Sequence, residues 1–218
     1  MNIAIDGPAG AGKSTIAKMV AKRNNYIYVD TGALYRAIAL YFIKHRINTD
    51  KDNHVKEACD KIDIQIVYED GLQQVLLNSK NVSKEIRQEK VGNMASVVAT
   101  KQAVRDKLLN LQRDIALNND VVMDGRDIGT FVLPNADLKI YLTASVETRA
   151  NRRYKELVEK GERVNLEKLK EDIKKRDYQD MHREIAPLKQ ADDAVYLDSS
   201  EMNIEEVVQK ICALIKNG

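Results

Sequence analysis

Asp6-Gly7-Pro8-Ala9-Gly10-Ala11-Gly12-Lys13-Ser14-Thr15 follows directly on the apolar run Met1 to Ile5 and leads into Lys13 to Arg23. The run reads as a buried first strand. Ile16, Ala17, Met19 and Val20 then recur at helical spacing, so the glycines sit at a strand-to-helix turn. Gly7 and Gly12 bracket four residues ahead of Lys13-Ser14. That is the spacing of a P-loop, in which backbone N–H groups and a helix N-terminus wrap a phosphate. Gly7, Gly10 and Gly12 carry no Cβ to obstruct the approach, and Pro8, Ala9, Ala11 and Thr15 complete the candidate cradle. Lys13 is expected to reach the transferable phosphates as a point charge, and the Ser14 hydroxyl to take a coordination site on Mg²⁺. A glycine turn that binds nothing has no need of strand, spacing, lysine, hydroxyl and helix together. The motif points to a nucleoside triphosphate and leaves open what is done with it.

The 218 residues suffice for one sizeable core, or a core with a subordinate lobe. A net charge of +2 gives no global field that would attract nucleic acid or a membrane surface. Cys59 and Cys212 are too few and too far apart for a zinc cluster or a disulfide framework, so free thiols in a reducing cytoplasm are expected. No apolar run approaches the ~18 residues that a membrane span needs, and no basic-then-apolar leader opens the chain. A soluble, unprocessed monomer is expected, as no large apolar surface helix is left over. His45, His54 and His182 lack metal-ligand spacing.

Tyr26 to Val29 reads as a second strand ending at Asp30, and Thr31-Gly32 opens a helix through about Lys44. Thr31 suits an N-cap, or offers a hydroxyl to the same crevice as the glycine loop, with Tyr35 and Arg36 in the helix's first turns. A short helix is expected over 55–61. Ile62, Ile64, Ile66 and Tyr68 then alternate with polar residues, Glu69-Asp70-Gly71 turns, Val75 to Leu77 returns, and Asn78 to Asn81 turns again. A small antiparallel sheet therefore interrupts a βα series as an inserted lobe over about 55–90. Helix resumes near Ser83 and runs, with a break around Thr100, to Leu117. Val104, Leu108, Leu111 and Ile115 form its buried stripe. Arg105 lies at the border of that stripe, where a solvated side chain is the usual outcome. Ser96, a turn or two earlier, has an equally plain small-residue reading.

Val121 to Met123 is a third core strand, ending in Asp124-Gly125-Arg126-Asp127. Asp124 occupies the position from which a carboxylate orients Mg²⁺ or its waters, though Asp-Gly also makes turns on its own account. Arg126 and Asp127 are expected to face solvent or a polar ligand, because unpaired burial is costly. Leu138 to Leu142 is a fourth strand, followed by a helix from about Ser145. Arg149, Arg152 and Arg153 share one face of that helix, either paired with Glu147 or Glu156 or covering a phosphate. Gly161 breaks the helix. Another runs from Leu166 to Tyr178, with Arg176, Asp177, Asp180, His182 and Arg183 around its end. Ala194 to Leu197 is a fifth strand, and the final helix is amphipathic.

These elements give an α/β fold: a doubly wound, five-stranded parallel sheet with ligands at the strands' C-terminal edge, an inserted antiparallel lobe and a helical lid. The partition is one P-loop domain over 1–218, with core 1–30, 100–145 and 185–218, a region carrying the inserted lobe over 31–99 and a lid over about 146–165. The many arginines exceed what one triphosphate needs, which points to two anionic substrates. A phosphate acceptor has a second pKa near ~6 and is largely dianionic at neutral pH, so no general base is required. Catalysis is then alignment, charge neutralisation and exclusion of water.

The chain resembles the bacterial-type cytidylate kinases, within the nucleoside monophosphate kinases, nearly end to end. The markers are Gly7 to Ser14, Asp30-Thr31-Gly32-Ala33-Leu34-Tyr35-Arg36, Val82 to Arg87, Asp124-Gly125-Arg126-Asp127-Ile128-Gly129-Thr130, and Arg176-Asp177 through Ile185-Ala186-Pro187-Leu188. The resemblance implies transfer of the γ-phosphate of ATP to CMP or dCMP. It implies that Arg36 and Arg126 hold the acceptor phosphate with Arg183 nearby, that Arg176 and Asp180 hold the sugar, and that Ser96, Arg105 and Asp127 meet the cytosine. Cytosine offers an N4 donor to a carboxylate and N3 and O2 acceptors to guanidinium or hydroxyl. Uracil would leave Asp127 or Arg105 unpaired. Arg149, Arg152 and Arg153 look like lid arginines that close over ATP, with Arg149 and Arg153 acting on the moving phosphoryl group. Kinases for UMP, AMP, dTMP or shikimate share many of these features. A guanine-nucleotide switch shares only the loop, because no Asn-Lys-x-Asp reader is present.

Overall fold

The computed structural model describes residues 1–69 and 71–217. Asp70 of the expected Glu69-Asp70-Gly71 turn lies outside the described residues. The chain forms two compact units, residues 1–28 with 119–218 and residues 29–118. Residues 100–118, grouped above with the core, pack in the second of these.

In the first unit, β1 (Asn2–Asp6) is central because its apolar run is buried on both faces, with Ile3, Ala4 and Ile5 fully covered. It pairs in parallel with β6 (Val121–Gly125) on one side and β7 (Leu138–Thr143) on the other. β8 (Val195–Asp198) adds to β7, and β2 (Ile27–Asp30) adds to β6, where Ile27 N donates to Asp120 O at 2.8 Å. The order is β2-β6-β1-β7-β8. The chain thus runs from β1 out to β2 at the edge, back to β6 and past β1 to β7, which puts the topological switch point between β6 and β1, where sheets of this kind bind ligands beyond the strands' carboxyl ends. Register brings Ile5 beside Asp124 and Asp6 beside Gly125. Helix α1 (Lys13–Asn24) packs with α8 (Ile204–Asn217), and Ile16, Val20, Val208 and Ile211 close over Ile3, Val122, Ile140 and Leu142. Helices α6 (Val146–Glu159) and α7 (Leu166–His182) pack on one another. Gly161, at φ +80°, ends α6 through bonds from its own N–H to Val158 O and from Glu162 N to Leu157 O. α7 runs four residues past its expected end at Tyr178.

In the second unit, α2 (Thr31–His45) is apolar nearly all round, and it is buried accordingly, with Leu34, Ile38 and Phe42 at its core. Asp30, not Thr31, is the N-cap: Asp30 Oδ1 accepts from Ala33 N at 2.9 Å. A carboxylate reaches the third N–H of a helix as well as a hydroxyl does, so adjacent Asp and Thr compete for the role. Strands β3 (Ile64–Glu69) and β4 (Leu72–Leu77) form the expected hairpin, with α3 (Asp52–Asp60) before it. Asn78 and Ser79 both take positive φ, so the turn after β4 is tight enough for β5 (Lys80–Asn81) to pair back onto β4. A 3₁₀ turn at Glu85–Arg87 precedes α4 (Glu89–Val98), and α5 (Gln102–Asn118) follows the break at Thr100. Arg105 is only 2 % exposed, which corrects the solvated reading. α5 packs on both α2 and α3, and this buries the border of its stripe as well as the centre. No helix among the described residues is long and apolar enough to cross a membrane.

Candidate active site

The glycine loop is shaped by close approach. A Cβ on Gly7 would lie 1.9 Å from Leu142 O, and Gly10 and Gly12 take φ of +77° and +88°. Lys13 is buried, and its Nζ donates to Pro8 O at 2.8 Å across the loop. Burial drives the Lys13 ammonium well below its ordinary pKa range and the Arg126 charge adds to this, while Asp124, Asp6 and Asp180 oppose it. An anionic ligand would reverse that penalty.

Ser14 Oγ donates to Asp124 Oδ2 at 2.9 Å, and the buried Tyr28 hydroxyl donates to Asp124 Oδ1 at 2.8 Å. The expected pair of Ser14 and Asp124 is therefore assembled, and Tyr28 orients it. Sequence reasoning missed Tyr28. Its only signal was a tyrosine on the strand that flanks Asp124's strand.

Two further charge pairs lie just past the same strand end. Arg126 Nε donates to Asp180 Oδ2 at 2.9 Å, and Arg183 Nη2 to Asp127 Oδ1 at 3.3 Å. Asp127 is 4 % exposed, so in place of the solvent or ligand expected above it meets a guanidinium of the protein itself. Burial raises the Asp180 pKa, yet the Arg126, Arg176 and Arg183 charges outweigh it and hold this carboxyl below the usual range. Arg183 Nε also donates to Ala186 O, and Leu188 N to Asp180 O, which folds the segment after α7 back on its last turn.

Asp6, also missed, anchors the turn on the far side of Asp127. Its Oδ1 accepts from Ile128 N at 2.8 Å and its Oδ2 from Gly129 N at 2.7 Å. The chain there makes a π turn, with Val132 N to Asp127 O and Leu133 N to Ile128 O.

The three arginines of α6 have different surroundings. Arg149 is buried and bonded to Ala144 O, Ala9 O and Asp177. Arg152 donates to Ser199 O at 2.7 Å. Arg153 is exposed and paired with Glu156 at 2.9 Å, the surface pairing that the spacing allowed.

In the second unit, Asp30 Oδ2 accepts from Arg87 Nη2 at 3.0 Å, while Gln73 bonds both the N–H and the C=O of Asp30. Arg36 Nη1 donates to Ile86 O at 3.2 Å. The Arg105 guanidinium lies 6.0 Å from the Tyr35 ring centroid and donates to Ala99 O. Thr31 is buried and Ser96 half-buried.

A family model described as cytidylate kinase matches residues 3–217. The chain belongs to the cytidylate kinase family. A cytidylate kinase of Caldicellulosiruptor saccharolyticus is 51% identical over 214 residues, covering 98% of this chain and 95% of that one. A cytidylate kinase of Leuconostoc mesenteroides subsp. mesenteroides is 52% identical over 216 residues, covering 99% and 96%. Among solved structures, a shikimate kinase from Bacteroides thetaiotaomicron superposes with a TM-score of 0.51 at 16% identity, covering 99% of this chain and 98% of that one. That likeness is one of fold alone. Family membership sets aside the guanine-nucleotide switch, which shared the loop but not the Asp124 segment.

Proposed function

We propose that this member of the family transfers the γ-phosphate of ATP to CMP or dCMP, giving ADP and CDP or dCDP. The carrying observation is the end of β6. One strand terminus supplies Asp124 to Ser14 and, two and three residues on, the Arg126–Asp180 and Arg183–Asp127 pairs. A lone triphosphate needs the first of these groups and has no use for the other two.

In this reading the backbone from Gly7 to Thr15 wraps the ATP phosphates, and Lys13 exchanges Pro8 O for phosphate oxygens. Ser14 Oγ and Asp124 Oδ2, 2.9 Å apart, are the hard oxygen donors that suit Mg²⁺, which otherwise keeps water and phosphate ligands. The ion would neutralise charge between the phosphates. Arg36 and Arg126 bind the acceptor phosphate with Arg183 nearby, Arg176 and Asp180 bind the sugar, and Thr31 and Tyr35 contact the acceptor. Ser96, Arg105 and Asp127 read cytosine. Arg153 reaches the moving phosphoryl group when the lid closes. The acceptor phosphate is already nucleophilic as a dianion, so the protein aligns, neutralises and excludes water. Both cysteines are free, which suits a reducing cytoplasm, and we take the working form to be a monomer.

Steady-state transfer from Mg·ATP to CMP, dCMP, UMP, AMP, dTMP, GMP and shikimate tests the reading, with sedimentation for the assembly state. Preference for the two cytidine nucleotides is expected; preference for another acceptor overturns the cytosine roles.

A further inference from the structure

A guanidinium has five N–H donors in a rigid fork. Four of those of Arg149 are engaged inside the protein: Nε to Ala144 O at 2.8 Å, Nη1 to Ala9 O at 3.0 Å and Asp177 Oδ1 at 3.1 Å, and Nη2 to Asp177 Oδ2 at 2.6 Å. Both partners are nearly out of water, Arg149 at 4 % and Asp177 at 9 % exposure. Gly10 of the loop lies against the same side chain, where a Cβ would be 3.4 Å from Arg149 Cβ. One turn beyond Asp177, Asp180 grips Arg126. Covalent and hydrogen-bonded links therefore run from Ala9 through Arg149 and Asp177 along α7 to Asp180 and Arg126.

Resting on the kinase reading above, we propose that Arg149 and Asp177 form a strut between the phosphate loop and α7. Arg149 is then a positioning residue and not a ligand of the transferred group. To turn its fork onto a phosphate, beyond the one Nη2 N–H left over, it would have to abandon a buried bidentate carboxylate and leave Asp177 charged without it, a costly exchange. Held in place, it fixes the Ala9 carbonyl and so the direction of the adjoining loop N–H groups. Through Asp177 it also fixes the helix that presents Arg176 and Asp180. Donor and acceptor sites are thus braced by one ion pair, to which sequence reasoning had assigned only the arginine.

The test uses the full chain with Arg149→Lys, Asp177→Asn and their combination. A further pair, Arg149→Met with Asp177→Leu, removes both charges together and so avoids an orphaned ion. The strut predicts that each single change raises KM for both ATP and CMP and lowers kcat/KM about 10²-fold, the scale of an ångström's misplacement. It also predicts that the combined variant is no worse than the poorer single one. The apolar pair should melt close to the wild type yet bind a non-hydrolysable ATP analogue at least ~10-fold more weakly by calorimetry. The proposal is overturned if Arg149→Lys lowers kcat alone while Asp177→Asn leaves kcat intact or higher, since a freed guanidinium would then be serving the phosphoryl group directly. It is equally overturned if the folded apolar pair keeps wild-type affinity for the analogue. Absence of CMP turnover in the wild type would instead sink the kinase reading, and the calorimetric comparison would still decide the strut.

Discussion

Asp6 spends both carboxylate oxygens on the backbone of Ile128 and Gly129, the two residues next after Asp127. Burial pushes its pKa up to about 6 from an ordinary 3.8, and the nearby Asp127 charge adds to this; the two backbone N–H bonds and Lys13 pull the other way without prevailing. Between those pH values the folded protein binds more protons than the unfolded chain, so stability falls as pH rises from about 4 to 6 and then levels. The size is on the order of 3 kcal/mol. Asp6→Asn cannot titrate. Chemical denaturation from pH 4 to 7 should show the wild type losing about that much relative to the variant, and a constant difference would refute the buried ionisation. Keeping a carboxylate at this cost makes sense if neutral Asn, able to accept only one of the two N–H bonds, lets the Asp127 turn drift.

Tyr28→Phe removes the hydroxyl that holds Asp124 Oδ1 at 2.8 Å and leaves Ser14 on the other oxygen. A partner that orients a metal-side carboxylate typically contributes 10–100-fold to metal affinity or activity. If Asp124 holds Mg²⁺ as proposed, the Mg²⁺ concentration for half-maximal activity should rise ~10-fold or more, with about 1 kcal/mol lost in stability. An unchanged Mg²⁺ titration would place the metal elsewhere.

β1, the glycine loop and α1 were legible because each signal is local: an unbroken apolar run, fixed glycine spacing, a helical repeat. The inserted hairpin was legible from its alternation. The features that escaped depend on partners remote in sequence. Asp6 meets N–H groups 122 and 123 residues away, and Asp127 meets Arg183 56 residues on. Nothing in the local pattern of either could name those partners. Arg105 sat at the edge of an amphipathic stripe, and only the packing of α5 on both α2 and α3 made that edge interior. Asp30 and Thr31 are both good caps, so the residue that ends β2 decided which one served.

Arg153 differs from its two neighbours on α6 in being exposed and tied to Glu156, at 2.9 Å. An exposed pair of this kind adds little to stability, so Arg153→Ala should melt within a few degrees of the wild type. If Arg153 meets the phosphoryl group on closure, kcat should fall by about 10³-fold, the low end for an arginine that stabilises this transition state, with KM for CMP changed far less. Equal losses in both would argue against a lid role.

Asp127 is the sharpest test of base reading, because the Arg183 guanidinium fixes its carboxylate at 3.3 Å. Its carboxylate is the acceptor proposed for the cytosine amino group. Asp127→Asn keeps an acceptor for that amino group but adds an amide donor, which suits the O4 of uracil. The variant should lose CMP activity and gain relative activity on UMP, shrinking the ratio of kcat/KM values by ~10². It should also melt lower, since Arg183 is then buried beside a neutral amide. These effects separate by measurement: the selectivity ratio is internal to one folded enzyme, so loss of stability alone cannot move it. A ratio unchanged in Asp127→Asn would leave Asp127 as the partner of Arg183 and move the reading of cytosine to Arg105 and Ser96.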